Sequence, residues 1–174
     1  IQGDTMDIPY NNGLIAQTAS KDMEGFGTNP ANLTITDSDP YDYGSIAVGA
    51  TALRTFTLNN GGGVSATAMV EAGIALPYRY LGGTYPGTGG TCTATLAPTI
   101  SCDIVVEFAP TSAVLSSDTI DIGYNNGAAL VNSARDVTGT GAAPALLTIS
   151  ETDPYNFGLL AVGGTQTHSF VVTN

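Results

Sequence analysis

Tryptophan is absent from this chain, histidine occurs once, and lysine and arginine together number only four among 174 residues. Each shortage excludes something. Against fifteen acidic residues the formal net charge is −11, so no cationic face exists to neutralise nucleic-acid phosphates or to dock on anionic lipid. A single histidine, His168, is too little for a histidine-based metal centre. A serine-hydrolase triad would also have to be built around it. No run of about 18 apolar residues is present to span a membrane as a helix. Charged residues make up only 11% of the chain. The Glu, Lys, Gln and Leu that normally fill long helices are correspondingly sparse, so helices are not expected.

What is plentiful is Gly, at 22 residues, with Thr, Ser and Asn, and 43% of the chain is apolar. That mixture suits short strands joined by tight turns around a core. Leu33 to Thr36, Tyr43 to Gly49, Leu53 to Asn59, Ser65 to Ala72, Cys102 to Phe108, Thr119 to Tyr124 and Ala129 to Thr138 all read as strands, most with alternating polar and apolar residues. Asn125-Asn126-Gly127 is a hairpin turn and Asn59 to Gly63 a loop. Seven or eight strands without a helical period indicate an all-β fold, an antiparallel β-sandwich of immunoglobulin type.

The chain also repeats itself. Residues 1–60 and 115–174 align without a gap at an offset of 114, with 26 identities among 60 pairs. Asp4-Thr5-Met6-Asp7-Ile8 returns as Asp118-Thr119-Ile120-Asp121-Ile122, and Asp39-Pro40-Tyr41 returns as Asp153-Pro154-Tyr155. Such a period fits a whole small domain and is too long for a solenoid coil. The expected organisation is therefore the last strands of one unit in residues 1–29, a complete unit in 30–143, and the first strands of a third in 144–174.

The motifs Tyr43-Gly44-x-Ile46-x-Val48-Gly49, Thr55-Phe56-Thr57-Leu58-x-Asn60-x-Gly62 and Thr91-Cys92-x-x-x-Leu96-x-Pro98-x-x-Ser101-Cys102-x-Ile104-x-Val106-x-Phe108-x-Pro110-Thr111 resemble the choice-of-anchor D domains of bacterial surface proteins. Those domains are relatives of the ASH/HYDIN immunoglobulin-like group. The resemblance runs from Leu33 to about Gly139 and restarts at Leu147. It implies an exported, envelope-attached protein of tandem domains, with no activity and no catalytic residues. It departs from the family in the acidic stretch that precedes the Tyr-Gly or Phe-Gly pair in both copies.

Four features are candidates for chemistry. Cys92 and Cys102 have no metal-ligating neighbours, so a short disulfide is preferred to two free buried thiols, which implies an oxidising, extracellular compartment. Asp37, Asp39 and Asp42, with their counterparts Glu151, Asp153 and Asn156, could hold calcium at a unit junction; the competing reading is a solvated Asx turn. Tyr78, Tyr80 and Tyr85 could form an aromatic platform for a surface glycan or protein ligand, or could cover the edge of the core. Glu71, Asp103 and Glu107 stand at strand positions expected to face solvent.

No cofactor is required on this reading, calcium being the one candidate ion. The expected function is structural or adhesive, in a cell-surface fibre of tandem immunoglobulin-like domains, and non-enzymatic. The alternatives are a binding module using the Tyr78–Tyr85 loop, and a filament subunit assembled by strand complementation between chains. Expected partners are neighbouring copies or repeats; nucleic acid and membrane insertion are not expected.

Overall fold

The structure is a computed structural model that describes all of residues 1–174. It contains strands and no helices, so no helix is long and apolar enough to cross a membrane. Eight strands lie between residues 31 and 142: β3 (Leu33–Ile35), β4 (Tyr41–Ala47), β5 (Ala52–Asn60), β6 (Thr67–Glu71), β7 (Tyr78–Tyr80), β8 (Ser101–Phe108), β9 (Leu115–Asn125) and β10 (Leu130–Ala142). One sheet has the order β3-β5-β8-β7 and the other β4-β10-β9-β6. Their inner faces enclose a single core, so the immunoglobulin-like sandwich expected from the strand pattern is the fold. Pairing is antiparallel throughout except between β4 and β10, which run parallel with a bulge between Thr138 and Thr140.

Alternation places the core. Phe56 and Leu58 of β5, Ile104, Val106 and Phe108 of β8, and Ile120 and Ile122 of β9 have no solvent exposure. β8 departs from the simple pattern, because Val105 and Glu107 on its other face are buried too. The cause is the Gly-rich segment after β7, which folds back across β8. Leu81 N donates to Val105 O, Val105 N to Pro86 O, and Cys92 N to Asp103 O. Gly87 makes that crossing possible: its φ is +90°, and a Cβ there would lie 2.3 Å from Val105 O. The disulfide Cys92–Cys102 pins the end of this cover to the start of β8, with both cysteines buried.

Outside the sandwich stand β1 (Gln2–Asn11) and β2 (Ala16–Gly25), an antiparallel hairpin, and the short pair β11 (Thr148–Ile149) and β12 (Val172–Thr173). The hairpin repeats β9–β10 in register: Asp4 faces Met23 as Asp118 faces Val137. Its contacts repeat as well. Thr5 Oγ1 donates to Asp22 as Thr119 Oγ1 donates to Asp136, and Asn12 closes its turn as Asn126 does. The other end corresponds in the same way. Leu146 N donates to Asn174 Oδ1 as Asn32 N donates to Asn60 Oδ1, and Gly158 N to Asn156 as Gly44 N to Asp42. The two end segments lie in separate sheets and are not paired with each other.

Candidate functional site

The acidic turn lies where β3 and β4 meet β10, and its three carboxylates go to three different partners. Asp37 forms an ion pair with Arg54, which arrives from β5 with its guanidinium 4.8 Å from the Tyr41 ring centroid. The hydrogen bond to Asp37 raises the Arg54 pKa above its ordinary value. Asp39 accepts from the backbone N–H of Asp136 at 3.1 Å and lies 3.4 Å from Arg135 Nη1. Arg135 also donates to Ile35 O, so it binds the end of β3 to β10. Asp42 caps its own turn by accepting from Gly44 N at 2.8 Å.

Asp37, Asp39 and Asp42 do not converge, and no group of three or more Asp, Glu, His or Cys is arranged to hold a metal. The physical reason is that two of the scarce arginines already supply the positive charge that the acids need. In the second copy Glu151 pairs with His168 at 3.1 Å, which stands where Arg54 stands in the first, and His168 stacks on Tyr155 at 4.2 Å. Asn156 caps Gly158. These residues too form the turn's own framework, and Asp153 has no ion-pair partner. His168 thus serves a hydrogen bond and an aromatic stack.

The three tyrosines considered as a platform lie in the core or pack against it. Tyr78 is fully buried, stacked on Phe108 with centroids 4.9 Å apart, and its hydroxyl donates to Ser116 O at 2.9 Å. Tyr80 is buried and meets the half-buried Tyr85 edge to face. Burial pushes Tyr78 and Tyr85 up to about 12, and raises Tyr80 and Tyr43 further. Rings held in this way support the core and are not presented to a ligand. Glu107, expected in solvent, is buried and takes a 2.6 Å hydrogen bond from Arg79 Nε. Asp103 is half-buried and accepts from Thr57 Oγ1.

Asn60 is the important residue that its loop-like surroundings concealed. It is completely buried, its Oδ1 accepting from Asn32 N and Gly62 N and its Nδ2 donating to Val64 O and Leu96 O. One side chain thereby joins three backbone segments, at Asn32, at Gly62 to Val64 and at Leu96. Its signals in the sequence were its recurrence as Asn174 at the offset of 114 and its place in the motif from Thr55 to Gly62.

No protein-family model matches this chain, and no curated protein matches it in sequence. Solved structures do. The VesB protease of Vibrio cholerae is similar over 64% of this chain and 32% of its own, with 13% identity and a TM-score of 0.50. The ASH/PapD-like domain 7 of human CEP192 is similar over 71% of this chain and 92% of its own, with 11% identity and a TM-score of 0.45. A Porphyromonas gingivalis protein of unknown function is similar over 80% of this chain and 67% of its own, with 13% identity and a TM-score of 0.44. The chain therefore spans about a third of the protease it resembles, and at such identity the likeness concerns the fold alone.

Proposed function

We propose that this chain is a non-catalytic structural module of an exported protein built from tandem immunoglobulin-like units, of the choice-of-anchor D kind. The observation that carries the reading is the offset of 114, which relates sequence, strand register and individual side-chain contacts on both sides of the complete unit. Repetition of strand register, turn caps and hydrogen bonds suits a protein that spans distance or presents copies. The disulfide agrees with an oxidising compartment. The side chains of His168, Asp103 and Glu107 serve as structural ties.

Pulling on the intact parent protein in a force microscope tests this reading. We expect a series of equal unfolding steps, each lengthening the chain by a few hundred Å, as about 100 residues at roughly 3.6 Å each require. Steps of unrelated size would overturn the tandem reading. Labelling of whole cells with an impermeant reagent should reach the protein; recovery of the protein from the cytoplasm with free thiols at Cys92 and Cys102 would overturn export.

A further inference from the structure

The chain is held by the loops of the complete unit both where it enters and where it leaves. At the entry, Asn29 O accepts from Gly63 N at 3.0 Å, Asn32 O accepts from Gly61 N at 2.9 Å, and Ala31 N donates to Asn126 O at 2.9 Å. The fit is close, since a Cβ on Gly63 would lie 2.1 Å from Thr28 Oγ1. At the exit, Gly141 N donates to Val114 O at 2.9 Å, and Ala142 O accepts from Val48 N at 2.8 Å. At the offset of 114, Ala142 corresponds to Thr28 and Ala143 to Asn29. The last residue that one unit grips is therefore followed at once by the first backbone carbonyl that the next unit grips. Pro144, the counterpart of Pro30, narrows the backbone freedom that remains. No residue is left over to act as a flexible linker.

The same two ends of the sandwich carry most of the apolar surface that the unit leaves uncovered. Seven large apolar side chains between residues 31 and 142 are exposed, and five of them lie at the ends. Leu76, Val114 and Leu115 surround the exit, where Ala109 N donates to Pro77 O and Leu115 is paired with Thr140. A recess of about 250 Å³ opens there beside Leu76, Pro77 and Pro110. Ile100 and Leu130 flank the entry, where Ile100 O accepts from Asn60 N and Leu130 is paired with Asn125. The outward faces of the sheets instead present polar residues such as Thr34, Thr55, Asn132 and Asp136. Apolar surface gathered at both ends of a unit that repeats without a linker points to one occupant, the facing end of the adjacent unit.

We propose that consecutive units of the parent chain abut end to end, the exit face of each covered by the entry face of the next, so that the parent protein is a stiff rod. At the joint that precedes the complete unit, Ile1 stands where Leu115 stands at the joint that follows it, and Ile100 and Leu130 are the residues it faces. The contact is heterologous and repeats from unit to unit along one chain. It rests on the tandem-unit reading, because the residues across each joint are identified by their counterparts at the offset of 114.

Ser20 and Ala134 are equivalent positions one unit apart, and the native cysteines between them are bonded to each other. Spin labels on Ser20→Cys and Ala134→Cys in the intact parent protein therefore measure the joint directly. The separation should be roughly 40–50 Å, set by the 13 residues of β10 at about 3.3 Å each, with a single narrow distribution. Four glycines inserted between Thr28 and Asn29 leave the grip of both units intact and should make that distribution at least twofold broader. Leu130→Asp, which places a charge in the apolar joint, should broaden it as well. A broad distribution in the unaltered protein, or a width that either change leaves as it was, would overturn the abutting units. Equal unfolding steps under force do not depend on the joint, so a flexible joint leaves the tandem reading standing, whereas unequal steps remove the units themselves.

Discussion

Asn60 is the side chain whose loss should be felt most widely. Replacing it by Ala leaves the N–H groups of Asn32 and Gly62 and the carbonyl of Val64 without that partner, while Leu96 O keeps only the N–H of Ala66. At about 1 kcal/mol or more for each, we expect Asn60→Ala to destabilise the unit by about 3 kcal/mol or more in denaturant unfolding. Asn60→Asp keeps both acceptor interactions but removes the donors to Val64 and Leu96 and buries a charge, so it should not rescue stability. The buried tyrosines set an alkaline limit. Their folded-state pKa values lie above the ordinary 10.0, near 12 for Tyr78 and Tyr85. Their contribution is fully present below pH 10 and is lost as pH rises toward 12 and beyond, because the unfolded chain releases protons that the folded chain keeps. Each such tyrosine should lower stability by about 1.4 kcal/mol per pH unit in that window. Tyrosinate absorbance and circular dichroism should change together there, and Tyr78→Phe should make the loss with pH less steep.

At the scale of elements, the ties between strands and loops come from a few covalent or charged contacts. Cys92 and Cys102 close a loop across a sequence separation of 10, holding the Gly-rich cover on β8. Replacing both by Ala should cost about 2–3 kcal/mol, read as a lower denaturant midpoint. The loop after β5 leaves no room for side chains: a Cβ on Gly62 would lie 2.1 Å from Pro30 O and 2.5 Å from Ala31 Cα. Gly62→Ala must push backbone aside and should destabilise by about 1–3 kcal/mol. In the acidic turn, Arg54 and Arg135 are the cations that pair with Asp37 and Asp39. Chelation should leave the melting temperature unchanged, whereas Asp37→Asn should lower it by breaking the pair with Arg54. A rise in melting temperature with millimolar calcium that Asp37→Asn abolishes would count against the arginine account.

For the molecule as a whole, the strands of the sandwich other than β7, the sandwich itself and the internal repeat of sequence were legible in the chain itself. Alternation along β5, β8 and β9 reflects burial on one side of a sheet, and Asn-Gly turns report local backbone preference. Both are properties of neighbouring residues. The pairing of Cys92 with Cys102 was legible for a related reason, since nothing else near either thiol competed for it. What the chain could not reveal was which distant group each polar side chain would meet. Asp37 to Asp42 is a cluster in sequence but is dispersed in space, because β5 and β10 bring arginines to it from positions 54 and 135. Tyr78 and Tyr80 sit in a Gly- and Pro-rich stretch that suggests a surface loop. Pairing of β7 with β8 carries their rings inward against Phe108 and Tyr85. Glu107 is buried by a cover that crosses from outside the sheet, and Asn60 by segments around Asn32 and Leu96 that reach it only after folding. Periodicity and turn chemistry determined the elements because they act between near neighbours. Partners of charges, orientation of rings and coverage of faces depend on residues tens of positions apart, and the packing of the two sheets alone decided them.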